Sequence, residues 1–332
     1  MWRRSDIAFA LFLGLALYIS WELRHALLLV YVAVILAIVL TPAVDWLRRW
    51  HVGRWRPGRS AGVLIFMLLA TGVATLVGEL VIPPLTHQAT LLAQQWPQRV
   101  NELVGRIHGL SLATDVHAAQ LEENVREWFS GLLNTFSGIG AAALAVATLV
   151  ILTAYFIVDG TRAFRWFISL WSAPHVDRLT ATLSQAEERI SRWIFGQLLL
   201  MLILATADLI VYGAIGLNYF FVLAVFAGAM NFIPVIGPLI GLVPAVIVAA
   251  TQSATTLIIV LAFYGIYQQV DNSYITPRVM RATVDISPLA VVIALVIGVE
   301  LAGILGAFVA VPTAALIEVL MREYLVKEPA RL

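Results

Sequence analysis

The chain has 332 residues, of which 61% are hydrophobic and 12% charged, and its mean hydropathy is +0.91. Soluble domains average roughly 45–50% apolar and ~25% charged residues, so this composition excludes a water-soluble globular domain and defines a polytopic membrane protein. The net charge of +1 says little, because in such a chain the placement of Arg and Lys matters more than their sum, while the absence of Cys excludes disulfides, thiol catalysis and thiolate metal sites.

In chain order, Trp2-Arg3-Arg4 precedes an apolar run at about 7 to 21. This matches the first two regions of a signal peptide, but Ser20-Trp21-Glu22 is too bulky for a small-residue cleavage site and a second apolar run starts at Ala26. An uncleaved anchor is expected. Further runs occupy about 26 to 44, 61 to 82, 138 to 158, 195 to 217, 219 to 251, 254 to 270 and 286 to 320. A ~30 Å hydrocarbon core takes about 20 helical residues at ~1.5 Å each. The runs 219 to 251 and 286 to 320 are too long for one crossing and should fold back, the first at Ile233 to Pro238 and the second at Glu300 to Gly306. The expected fold class is all-α: a polytopic integral membrane protein of about eight hydrophobic segments, with two Gly/Pro-broken helical hairpins that either span fully or re-enter.

Two polar segments read as helical. In the first, Pro97 can open a helix burying Val100, Leu103, Val104 and Ile107, and a second helix from about Asp115 presents Leu121, Val125, Trp128 and Leu132. In the second, Leu179, Leu183, Ala186, Ile190 and Trp193 form an amphipathic face leading into the span at Phe195. That face packs on the protein's own bundle, on the bilayer surface or on another subunit. Arg48, Arg49, Arg54, Arg56 and Arg59 crowd the link between the second and third runs, which places that link and the N-terminus in the cytoplasm. Thr86 to Thr135, with its acidic excess, then falls outside, and the loop from Asp271 to Asp285 and the tail fall inside. The two hairpins are weakly alike, Gly237, Gly241 and Pro244 against Gly303, Gly306 and Pro312, and their entry sides come out opposite, as inverted repeats meeting at the midplane would require.

The break at Asn231-Phe232-Ile233-Pro234-Val235-Ile236-Gly237-Pro238 removes backbone partners that lipid cannot replace. Non-helical backbone at membrane depth is tolerated where protein buries it or where it lines a watery cavity. Ionisable groups within spans cost roughly 2.5–3.5 kcal/mol each at helix centre, and three candidates occur: Glu79, Asp208 and Glu300. Glu79 lies near the outer interface. Asp208 reads either as an interhelical hydrogen bond or as a proton or cation site, and Glu300 either as a coupling residue at a hairpin tip or as a solvated tip. Gln197, Asn231, Gln268, Gln269, Asp271 and Asn272 supply amides and carboxylate that suit a small polyol or a dehydrated cation, while Arg278 suits an anion or counters Asp271. Asp271 and Asn272 read equally as the end of a helix at the interface. No phosphate-binding G-x-x-x-x-G-K-[ST], no H-E-x-x-H and no G-x-S-x-G occurs, and His87, His108 and His117 lack ligand-like spacing. No enzyme activity, cofactor, metal or nucleic-acid partner is expected.

Gly196-Gln197, Asn231 with Ile233-Pro234 and Ile236-Gly237-Pro238, and Gln268-Gln269 with Asp271-Asn272 form an ordered set over about 120 residues that continues through Pro277-Arg278, Pro288, Gly298, Gly303 with Gly306, and Ala310-Val311-Pro312. In this set the C-terminal half resembles the AI-2E family of transporters, the autoinducer-2 exporter family of polytopic bacterial membrane proteins. Two positions depart from the family's pattern: Arg281 stands where glycine is common, and Ser287 where histidine is frequent. The resemblance implies export of the quorum-sensing molecule autoinducer-2 for some members and sodium or lithium extrusion against protons for others. It also implies a homo-oligomer, with a pentamer as one form.

The expectation is therefore a secondary transporter of the bacterial inner membrane with both termini cytoplasmic. Its parts are N-terminal transmembrane helices over 1–84, an extracytoplasmic amphipathic helical segment over 85–136, a transmembrane helix plus cytoplasmic amphipathic helix over 137–194, a transport core over 195–322 and a cytoplasmic tail over 323–332. Its partners would be the lipid bilayer and either a small polar solute or a monovalent cation and proton. Solute export would use Asn231, Gln268, Gln269 and the hairpin breaks at Pro234, Gly237, Pro238, Gly303 and Gly306. Cation/proton antiport would centre on Asp208 or Glu300, and a non-transporting scaffold acting through its polar segments is the third reading.

Overall fold

The computed structural model describes residues 13–15, 18–19, 22–49, 58–109, 139–170, 173–234, 236–280 and 287–324. Most of the first apolar run, the second external helix from Asp115, Arg281 and the tail from residue 325 lie outside the described residues. Among the described residues the regular elements are helical, as the composition requires: in lipid, helices satisfy their own backbone. In chain order they are α1 (Arg24–Arg49), α2 (Arg59–Gly109), α3 (Ile139–Ile168), α4 (Ala173–Ala214), α5 (Phe220–Met230), α6 (Gly237–Gln252) and α7 (Ala254–Val270). A π-helical turn, Asp271–Ile275, then leads into α8 (Thr276–Val279), and α9 spans Pro288–Tyr324.

Among the described residues, three segments are long and apolar enough to cross a membrane: Arg24–Leu47, Ala147–Trp166 and Val176–Ala214. Shorter apolar helices are Ala61–Gly72, Phe220–Met230, Gly237–Gln252 and Leu289–Gly303. The helix expected to open at Pro97 is instead the interior of α2, which runs unbroken through Pro83, Pro84 and Pro97 over 51 residues. Each of these prolines withholds a donor from the carbonyl four residues earlier, yet the flanking turns hold the helical path.

The chain divides into two compact units, Met1–Phe66 with Leu144–Ser191 and Asp285–Leu332, and Met67–Ala143 with Arg192–Val284. In the first, α9 is the hairpin expected over 286 to 320. Its reversal lies at Ala302 (φ −149°, ψ 19°) and Gly303 (φ 59°, ψ −137°), where the positive φ favours glycine. Beyond the turn the arms press together so closely that a Cβ on Gly306 would lie 1.8 Å from the Gly298 carbonyl oxygen. Tyr31 of α1 and Thr313 of the second arm share a hydrogen bond of 2.9 Å. Interhelical hydrogen bonds in membranes average ~0.6 kcal/mol, so the packing of Ala307, Ala310, Val311 and Ala315, all buried, contributes more than this bond. The Arg178–Glu323 ion pair, 2.7 Å and exposed on both sides, adds little.

In the second unit, α5 and α6 form the other hairpin, with residues 231–234 and 236 in its turn. Small residues set its spacing: a Cβ on Gly237 would meet the Met230 carbonyl oxygen at 2.0 Å, one on Gly241 the Ala227 Cα at 2.7 Å, and one on Gly228 the Ala205 Cβ of α4 at 2.5 Å. Leu92, Tyr212, Leu217, Leu223, Val248 and Val260 belong to the buried core around it. Ser253 leaves the helical path (φ −163°, ψ 157°), and its hydroxyl accepts from the Thr256 amide to cap α7.

The base of the α5–α6 hairpin is held by α2. Tyr219, at φ 58°, precedes α5 without capping it through its side chain. Gln88 Oε1 supplies the cap instead, accepting from the Phe221 and Val222 amides, each at 3.2 Å. The Tyr219 hydroxyl donates to Gln95 Oε1 at 2.5 Å, and the Arg99 guanidinium lies 5.2 Å from the Tyr219 ring centroid while donating to Thr251 Oγ1 at 2.8 Å. Loss of a helix cap costs ~1 kcal/mol, so Gln88→Ala should lower the melting temperature of detergent-purified protein measurably. An unchanged melting curve would show that water replaces the glutamine without loss.

Candidate functional site

The amphipathic face of α4 continues as one buried stripe into the apolar half of the helix: Ala186, Ile190, Trp193, Gln197, Leu200, Leu204, Asp208 and Tyr212 are all buried, at steps of three and four. Two polar residues on that stripe, Gln197 and Asp208, therefore project inward for the same reason as the leucines beside them. This accounts for their direction, while their partners come from elsewhere in the chain.

Gln197 meets the tip of the first hairpin. Its Nε2 donates to the Asn231 carbonyl at 2.5 Å, a group stranded at the C-terminal end of α5. The ring of Trp193 packs edge-on against Phe232, 6.1 Å between centroids. Within the turn the Ile236 amide donates to the Pro234 carbonyl at 2.8 Å and the Gly237 amide to the Ile233 carbonyl at 2.9 Å. The neighbouring Gly196 leaves room for Met280, whose Sδ would lie 3.0 Å from a Cβ there. The Gly196-Gln197 pair thus carries two contacts: glycine admits the segment after α8, and glutamine satisfies the hairpin tip.

Asp208 is 3% exposed, and its carboxylate accepts a hydrogen bond from the Tyr212 hydroxyl one turn on. It lines a cavity of about 10 Å³, to which Tyr212, Tyr264 and Tyr267 also contribute, closed on the hairpin side by Ala227 and Pro238. Pro238 is the second residue of α6, so the helical break and the buried carboxylate share one small space. Tyr212 is braced edge-on by Phe263 at 6.2 Å.

The polar cluster after α7, for which a helix end was one of the two readings, widens the helix into a π-helical turn that hands on to α8. Such turns occur often at functional sites. Thr276 Oγ1 donates to Asp271 Oδ2 at 3.0 Å. Half-buried Asp271 has its carboxyl pushed above the ordinary carboxylate range by desolvation, with the Thr276 bond acting against that. Gln268 Nε2 reaches Asn272 Oδ1 at 3.4 Å, whereas Gln268 Oε1 is buried without a hydrogen-bond partner among the described residues. Gln269 is exposed beside Ser273. Arg278 does not counter Asp271: its guanidinium lies over the Tyr274 ring, 5.4 Å from the centroid.

Glu300, Gly303 and Gly306 belong to the other unit. Glu300 is exposed, two residues before the reversal of α9. Ser287, where the family pattern has histidine, accepts from the Ala290 amide at 3.2 Å and so caps α9. Sequence reasoning missed Tyr212, Tyr264 and Tyr267. The i,i+4 spacing of Asp208 with Tyr212 and of Tyr267 with Asp271 pointed toward two of them, and nothing local pointed toward Tyr264.

Helices broken at glycine and proline, with a buried carboxylate beside one break, define a helical membrane protein of the transporter class. The chain belongs to the AI-2E family transporters: the family model matches residues 7–326. Among its relatives, the Bacillus subtilis (strain 168) protein YrrI, provisionally named a transport protein, is 27% identical over 305 residues, covering 89% of this chain and 85% of its own. The AI-2 transport protein TqsA of Escherichia coli (strain K12) is 21% identical, covering 96% and 93%. A sodium-lithium/proton antiporter of Halobacillus andaensis is 23% identical, covering 83% of each.

Proposed function

We propose that this membrane transporter exports a small polar solute of the size and polarity of autoinducer-2, energised through Asp208. The observation that carries the reading is the cavity where Pro238, at the start of α6, meets the Asp208 carboxylate within a candidate span. A rigid scaffold gains nothing from a buried charge beside interrupted backbone, whereas a transporter needs both, one to bind and one to respond to a gradient. The unpartnered Gln268 Oε1 is suited to a solute hydroxyl, with Asn231 and Gln269 as further amides in the same unit. The relative named as an AI-2 transport protein supports this cargo. In this reading the protein lies in the bacterial inner membrane as a homo-oligomer, with both termini cytoplasmic, and acts in quorum sensing.

A second reading is sodium or lithium exchange for protons, favoured by the burial of Asp208 and by the relative that is named for that activity. Proteoliposomes loaded with autoinducer-2 and a pH-sensitive dye separate the two. Export predicts release of autoinducer-2 faster than from protein-free vesicles. Antiport predicts retained autoinducer-2 and a dye response on adding sodium or lithium. Vesicles that show neither response sink both.

A further inference from the structure

Asp208 is almost fully buried, and a carboxylate that couples to a gradient must exchange its proton. The groups facing it are the Tyr212 hydroxyl from its own helix, and Tyr264 and Tyr267 from α7; α5 and α6 offer only Ala227, Pro238 and Leu242. Among the described residues no Lys, Arg or Glu lines the cavity, which leaves hydroxyls as the groups there able to pass a proton. Tyr212 is engaged in the bond to Asp208. The Tyr267 hydroxyl is different: it is buried with no hydrogen-bond partner among the described residues, and both Asp208 and Asp271 act on it electrostatically. Buried hydroxyls are almost always bonded, and an exception calls for a reason. Tyr267 and Asp271 stand four residues apart, at the junction where α7 widens into the π-helical turn, and Asp271 is half-buried rather than enclosed.

We propose that Tyr267 is a proton relay between Asp271, at the π-helical turn, and the enclosed Asp208. The inference rests on the reading of Asp208 as the coupling carboxylate. In one passage, with Asp271 drawn into hydrogen-bond distance, its carboxyl gives a proton to the Tyr267 hydroxyl oxygen while the proton already on that oxygen passes to a water in the cavity, which hands one of its own to the Asp208 carboxylate. One O–H bond breaks and one forms at the tyrosine, which ends as it began, and rotation of the hydroxyl about its C–O bond resets it. The cavity of about 10 Å³ is the space of a single water, enough to bridge the hydroxyl to the carboxylate.

Time-resolved infrared spectroscopy of the full-length purified protein after a pH jump tests this without any substrate. The carbonyl stretch of protonated Asp208 is the probe, assigned by its loss in Asp208→Asn. In Tyr267→Phe, which removes only the hydroxyl, the Asp208 band should rise at least about tenfold more slowly than in the unmodified protein. Asp271→Asn, at the half-exposed turn, should slow it similarly and serves as the readout if Tyr267→Phe does not fold. An Asp208 band that rises at the unmodified rate in the folded variants overturns the relay and leaves Asp208 as a coupling group. A band that never changes between acid and alkaline pH overturns the relay together with the role of Asp208.

Discussion

Asp208→Asn is expected to abolish gradient-driven transport in proteoliposomes, down to the level of protein-free vesicles, while leaving the folded protein at least as stable as before. The two halves of this result have different causes. Asparagine matches aspartate in shape and keeps an oxygen to accept from Tyr212, so the hydrogen bond inside the bundle survives. It carries no charge, so the roughly 2.5–3.5 kcal/mol cost of an ionisable group at the centre of a span is removed. What it cannot do is bind and release a proton. Transport assays on reconstituted variant, paired with melting curves in detergent, give the check. If Asp208→Asn transported normally, the residue would be an intrahelical hydrogen bond to Tyr212 and no more, and the coupling role would be lost. If it unfolded, the carboxylate would be doing structural work that its single tyrosine partner does not explain.

Gly306→Ala and Gly237→Ala should each destabilise the protein by about 3 kcal/mol or more, the upper end of the overpacking range. Both new methyl groups would collide with backbone: one 1.8 Å from the Gly298 carbonyl oxygen, the other 2.0 Å from that of Met230. A side chain in such a position can rotate away, but a carbonyl fixed within a hairpin moves only if the arms part. Gly265→Ala is the internal comparison, for nothing lies within 4 Å of its Cβ position and its place inside α7 favours alanine by roughly 0.5–1 kcal/mol. Melting temperatures of the three purified variants should therefore fall into two groups, with Gly265→Ala at or above the unmodified protein. If Gly306→Ala joined Gly265→Ala, the close approach of the arms of α9 would be wrong.

The two hairpin breaks were legible in the sequence because glycine and proline act on the backbone locally. A run longer than one crossing that contains Pro234, Gly237 and Pro238 has few other outcomes, and the second run holds glycines, of which Gly303 adopts the positive φ its turn uses. The buried face of α4 was legible for a similar reason, since periodicity along one helix is a property of neighbours in sequence. Proline was less reliable as a start signal: Pro97 opens nothing, because α2 is held along its length by contacts such as Gln88 to α5 and Arg99 to Thr251 that come from distant segments. At the end of α7 the sequence left two readings open for the Asp271 and Asn272 pair, and the structure places there a widened turn rather than a stop.

By itself, then, the amino-acid order determined that this is a polytopic helical membrane protein, where its long spans reverse, and which polar side chains are costly enough to need a reason. Those properties follow from hydropathy and from backbone geometry, both of which act over a few residues. Only the tertiary structure decided what each costly group faces. It set Asp208 of α4 beside Pro238 of α6 and the tyrosines of α7, gave Gln197 the stranded carbonyl of Asn231, and placed Glu300 in the other unit. Pairings of that kind join residues tens of positions apart, and they depend on how small side chains such as Gly228 and Gly241 let whole helices approach, which no local pattern encodes.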